Sequence, residues 1–186
     1  LLVLAAALLI GTTAGMVAAW RGGALDGAIM RAADMTLAFP EIIIAILVAA
    51  VAGPGIVATV ISLVVVSWPG IARLVRSLTL SLKQEPFVEA AIAAGTSAPR
   101  ILVRHCLPNI LPALIVRASV GFGFIVMAEA TLSFLGLGVQ EPVPSWGGMI
   151  RDGLTALTTD PHLALAASAA LGLTIVGFNL LGDGLR

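Results

Sequence analysis

The residues able to do chemistry are few, and most are scattered. Glu129 is the one acidic residue well inside a long apolar stretch, Ala113 to about Gly138. A charge at bilayer depth costs about 2.5–3.5 kcal/mol on insertion scales, so such a residue should face protein or water. Two roles follow: lining or gating a translocation path, or accepting a buried hydrogen bond from a neighbouring helix. Arg117 precedes it by twelve residues, about 18 Å along a helix at 1.5 Å per residue, so the two are not direct partners. Its long side chain is expected to snorkel toward the cytoplasmic interface. His105 and His162 fall on opposite faces of the proposed topology and cannot share one metal; His105 reads as a polar contact. Cys106 is the only cysteine, which excludes an intrachain disulfide and suits a small buried residue. No Gly-x-x-x-x-Gly-Lys is present, and the single lysine, Lys83, follows Ser81-Leu82. The chain has no nucleotide-binding loop of its own. No His-Glu-x-x-His occurs either, and neither histidine lies near a plausible Ser/Asp set within the membrane.

The elements that carry these residues are membrane helices. Of 186 residues, 59% are hydrophobic and 11% charged. Soluble domains carry about 25% charged residues. The formal net charge is zero, so nothing points to nucleic acid. Crossing a bilayer takes about 20 apolar residues as a helix. Five segments qualify: Leu1–Ala19, Leu37–Gly53, Gly55–Ala72, Ala113–Gly138 and Leu163–Gly182. Gly53-Pro54-Gly55 forces a turn between the second and third. Pro69 either bends the third or marks its end. Glu41, after Pro40, complements the dipole at the start of the second. Gly11 and Gly15 have the spacing that lets helix backbones approach closely, and Ala166, Ala167, Ala169, Ala170 and Gly172 crowd the last span. The fold class is all-α, a polytopic membrane helix bundle, and residues 1–186 form one domain.

Charge sets the orientation. Arg21, Arg31, Arg73, Arg76, Lys83, Arg100, Arg104, Arg117 and Arg186 belong to one face, and only Arg151 to the other. By the positive-inside rule, 21–36, 73–108 and the C-terminus are cytoplasmic. Segment 139–162 is an external loop, where Trp146 suits an interfacial aromatic belt or the docking of an external binding protein. Leu1 then begins outside, which implies at least one earlier crossing that this sequence lacks.

Segment 83–108 is too interrupted to span. Phe87–Ala94 is a short helix with a small Ala face. Gly95 can take positive φ and end it. Ser97 can cap a second short helix with Pro99 in its first turn, and Pro108 should stop that helix. An Ala-lined helix offers a partner close approach, with Glu89 for register. Read from the residues alone, it is also compatible with an interfacial helix lying on the membrane.

At this segment the sequence resembles a family. Glu89, Ala90, Ala91, Gly95, Leu107 and Pro108 match the Glu-Ala-Ala, three residues, Gly, nine residues, Ile, one residue, Leu-Pro motif of binding-protein-dependent ABC importer permeases. His105 replaces the Ile, and Arg104–Asn109 looks like the Arg-His-x-Leu-Pro-Asn form of the dipeptide/oligopeptide/nickel group. Further resemblances are Ala38-Phe39-Pro40, Ala128 to Gly138, Pro144-Ser145-Trp146-Gly147 and Asn179 to Arg186. The resemblance implies a type I ABC importer permease fold, methionine-importer-like, in the inner membrane. It implies no catalytic residue and no cofactor or metal. It assigns coupling to an ATPase subunit to Glu89, Ala90, Ala91, Gly95, Arg100, Leu107 and Pro108. The implied partners are a homologous second permease subunit, two ATP-binding subunits, an external solute-binding protein and membrane lipid. The cargo implied is a peptide, or a nickel chelate or glutathione-like solute. The competing reading is an ion-coupled secondary transporter with Glu129 as proton relay; the internal repeat common in such proteins is not visible.

Overall fold

A computed structural model describes residues 1–184; Leu185 and Arg186, which enter the terminal motif and the basic count, lie outside them. The described residues are helical throughout, connected by turns. Long apolar helices are α1 (Leu2–Arg21), α4 (Ile56–Leu82), α7 (Leu107–Phe134) and α9 (His162–Gly184). Between them lie α2 (Gly23–Leu37), α3 (Glu41–Ala52), α5 (Pro86–Ala93), α6 (Ala98–Ile101) and α8 (Trp146–Thr155).

Backbone proximity organises the bundle. The most extensive helix pair is α1 with α4. Without a hydrophobic drive in lipid, close packing must hold such a pair. Gly11 and Gly15 permit it: a Cβ at Gly11 would lie 2.7 Å from the Ile71 side chain, and one at Gly15 would lie 2.5 Å from the Ala72 carbonyl oxygen. The expected small-residue packing therefore holds in α1. It does not hold along α9, where Ala167 is buried but Ala166, Ala169 and Gly172 are exposed.

Four spans are continuous helices. The second expected span differs. The α3 helix has only 12 residues, about 18 Å, short of a hydrocarbon core of about 30 Å. It joins α2 at a 93° bend, so a fifth crossing exists only as a bent pair. The stretch 21–36, given no secondary structure on sequence alone, is mostly the helix α2. Its acids are internal partners. Asp26 accepts two hydrogen bonds from Arg76 at 2.5 Å, and Asp34 pairs with Arg73. Positions 26 and 34 are eight apart and 73 and 76 three apart, spacings that put each pair on one helix face. The Arg76 hydrogen bond holds the Asp26 carboxyl below the usual carboxylate range, against the opposing pull of burial.

One proline settles an open alternative and another departs from expectation. The α4 helix runs through buried Pro69 to Leu82, so Pro69 is not its end. Pro108 does not stop a helix either. The turn Leu102–Cys106 widens to a π-turn, with the Leu107 N–H donating to the Leu102 carbonyl, and α7 continues from there. A proline ring in a regular helix clashes with the carbonyl four residues back, and local widening relieves that clash. The second short helix is thus the foot of a continuous 37-residue apolar element, Ala98–Phe134.

Candidate functional site

The first candidate site is the α5–α6 corner. Pro86 opens α5 at a position where its missing N–H costs nothing. The helix closes on Gly95 at φ +75°. The Gly95 N–H donates to the Ile92 carbonyl at 2.9 Å and the Thr96 N–H to the Ala91 carbonyl at 3.0 Å, the paired pattern of a Schellman close. Ser97 occupies the cap position of α6, but its hydroxyl accepts no capping hydrogen bond. Val88 is the anchor. It is fully buried in a cluster with Ile101, Cys106, Ile110, Val75 and Met16, which ties α5 to residues of α1, α4 and α7.

The remaining faces of α5 are open. Glu89, Ala90, Ala93 and Gly95 are exposed, as are Phe87 and Ile92. Arg100, Arg104 and Pro108 are exposed beside them, whereas Ala91 and Leu107 pack inward against the cluster. Phe87 and His105 face each other with ring centroids 6.5 Å apart, within aromatic contact range. His105 is thus part of the clasp between the two halves of the corner. Phe87 and Ile92 were not singled out from the sequence; their spacing of five around the buried Val88 was the available signal.

The second candidate site surrounds Glu129. Glu129 Oε1 accepts a hydrogen bond from Ser133 Oγ at 2.6 Å, on its own helix. Its partner is therefore not a neighbouring helix. Ser133 Oγ also accepts from the Val139 N–H at 3.2 Å, which links Glu129 to the turn after α7. Glu129 lines a cavity of about 480 Å³ together with Val3, Thr59, Ile125 and Trp146. Two residues weighed separately in the sequence thus share one space. The stretch 139–162 reaches it through α8, whose N-cap Ser145 accepts from the Gly148 N–H at 3.1 Å. Gly147 seats α8 directly on the Ala130 carbonyl of α7; any Cβ there would overlap it. Pro144-Ser145 was the overlooked start signal for this helix. Arg117 lines a different cavity, with Glu41 and Ser67.

With this geometry in view, comparison with known proteins is informative. The family described as binding-protein-dependent transport system inner membrane component matches residues 11–186. The chain belongs to this family. It is 42% identical over 180 residues to the dipeptide transport system permease protein DppC of Alkalihalophilus pseudofirmus, covering 97% of this chain and 59% of that one. It is 43% identical over 179 residues to the glutathione transport system permease protein GsiD of Pectobacterium atrosepticum, covering 96% and 60%. The chain therefore spans about three-fifths of the length of these curated relatives. Among solved structures, inward facing conformations of the MetNI methionine ABC transporter match with a TM-score of 0.67 at 19% identity, covering 99% of this chain and 91% of that one. The fold is that of a type I ABC importer permease, as expected, and the family's transport permeases are multi-pass membrane proteins.

Proposed function

We propose that this chain is the transmembrane permease subunit of an ATP-driven importer that carries peptides, or a related small solute such as a nickel chelate or glutathione-like compound, across the cytoplasmic membrane. Relatives named for dipeptide and glutathione transport support that cargo class. Residues 83–108 form the cytoplasmic coupling segment, 139–162 face outside, and the C-terminus is cytoplasmic. The partners are a homologous second permease, two ATP-binding subunits, an external solute-binding protein and the surrounding lipid. ATP hydrolysis on the partner subunits moves the coupling segment, and the bundle rocks between inward and outward access.

The observation that carries this reading is the construction of α5. A helix of eight residues has one fully buried side chain, Val88, and exposes Phe87, Glu89, Ala90 and Ile92. Small residues allow a partner's backbone to approach, Phe87 and Ile92 supply apolar anchors, and Glu89 and Arg100 supply register. Leu107 and Pro108 transmit displacement, because the foot they belong to is continuous with α7. Glu129 contributes to the path as a polar wall residue.

Gly95→Val tests the reading. A β-branched residue at φ +75° costs about 1–3 kcal/mol. A Cβ there meets no atom within 4 Å, so the strain is in the backbone and confined to the corner. The variant is expected to reach the membrane at normal levels. It should lose copurification with the ATP-binding subunits, or lose stimulation of their hydrolysis by loaded binding protein, with uptake falling in parallel. Full uptake and full ATPase coupling in Gly95→Val refute the assignment.

A further inference from the structure

Arg117 does not behave as a membrane arginine is expected to. Its side chain ends in a planar guanidinium cation with five N–H donors. Such a group normally snorkels to the interface or finds a partner. Snorkelling to the cytoplasmic end of α7 would carry it back toward Leu107. Instead it reaches the other way, along its own helix. A Cβ at Gly121, one turn further on, would lie 2.9 Å from Nη1, and a Cβ at Gly70 on α4 would lie 3.2 Å from Nη2. Two glycines, on two helices, leave the space the guanidinium fills. Among the described residues it makes no ion pair and no hydrogen bond.

The space is a cavity of about 860 Å³ where α1, α3, α4 and α7 meet. That volume lies in the range of about 300–1,000 Å³ common for small-molecule sites. Its walls are mainly apolar, including Leu4, Ile71 and Phe124. Its polar groups are Arg117, Glu41 and Ser67. Glu41 has no cationic partner among the described residues, and Ser67 Oγ is buried with no hydrogen-bond partner. A guanidinium is a strong receptor for carboxylate, because its planar fork donates two parallel hydrogen bonds.

We propose that this cavity is a transit site for a small zwitterionic solute of peptide type, with Arg117 receiving its carboxylate and Glu41 its ammonium. The proposal rests on the reading of the chain as an importer permease, and it adds the residues that meet the cargo within the membrane. It also accounts for a cation that is unpaired among the described residues: its partner is the passing solute.

The test uses the complete transporter in lipid vesicles, with Cys106→Ala and a single probe, Val120→Cys, an exposed residue lining the cavity. Labelling rates are compared for a negatively charged sulfonate and a positively charged trimethylammonium methanethiosulfonate. The anionic reagent is expected to react faster, and Arg117→Gln should lower that preference about tenfold. A dipeptide with a free carboxylate should slow labelling, while its C-terminal amide should not. Arg117→Lys keeps the charge, so it should keep the preference but lose about tenfold of the protection, since the fork is gone. An unchanged preference in Arg117→Gln overturns the proposal. Equal protection by acid and amide, or protection by neither, also overturns it; the guanidinium then serves a lipid phosphate or a structural role. Should Arg117→Gln fail to assemble, Arg117→Lys decides alone, and full carboxylate protection in it is refuting. Labelling requires no ATP hydrolysis, so a failure of coupling in Gly95→Val is read separately.

Discussion

Replacing Gly15 with alanine adds one methyl group at the tightest point of the α1–α4 contact. The new Cβ would lie 2.5 Å from the Ala72 carbonyl oxygen, 2.9 Å from Val75 Cβ and 3.0 Å from the Arg76 nitrogen. Carbon atoms in good contact sit about 3.5–4.0 Å apart, so α1 must withdraw by roughly 1 Å. A gap of that size forfeits about a quarter to a half of each affected dispersion contact. Overpacking of this kind costs about 1–3 kcal/mol. Against it, alanine is a better helix former than glycine by about 0.8–1.0 kcal/mol. Sterics should win, because two of the three obstructing atoms are backbone and cannot rotate away. The expected net loss is about 0–2 kcal/mol. Gly172→Ala is the control. Nothing lies within 4 Å of a Cβ there, so only the propensity gain remains. The propensity gain is common to both, so the two variants should differ by the overpacking cost, about 1–3 kcal/mol. Full-length permease in mild detergent, unfolded by added dodecyl sulfate and followed by circular dichroism, measures the difference. Equal stability of Gly15→Ala and Gly172→Ala would show that α1 and α4 are not in backbone contact, and the bundle described above would be wrong at its centre.

Glu129→Gln should leave the amount of folded protein near wild type, since the amide oxygen still accepts from Ser133, while uptake falls severalfold; normal uptake alongside a loss of folded protein would make Glu129 structural. Single cysteines in 86–95 should react with impermeant reagents only from the cytoplasmic side, and those in 140–160 only from outside. Reversed labelling would invert the topology and end the coupling role of α5.

Much of this protein is legible in its residues. Runs of apolar residues about 20 long specify membrane helices wherever they occur, because an unpaired backbone group in lipid is costly and only a helix satisfies its own. That logic located α1, α4, α7 and α9. The corner at Gly95 was equally local: a helix former run, a glycine able to adopt positive φ and a proline in the next first turn all lie within a dozen residues. Gly11 and Gly15 announced close packing by spacing alone, though not against which helix.

Tertiary structure decided whatever depended on a distant partner. Asp26 and Asp34 show no partner in their own stretch of sequence; Arg76 and Arg73 meet them across 50 and 39 residues, and the pairs tie α2 to α4. Pro108 looks like a stop until the chain widens to a π-turn before it, because the helix it would end is the foot of α7 and is packed against the bundle through Ile101, Leu102 and Ile110. Glu129 and Trp146 were separate until α8 seated Gly147 on Ala130 and brought both to one cavity. Arg117 was expected at the interface, where an isolated helix would send it; the gap left by Gly70 on another helix gives it somewhere else to go. Local propensity and hydropathy determine which segments are helices. The pairing of charges and the fit of side chains into glycine gaps are properties of two helices at once, and no single stretch of sequence contains them.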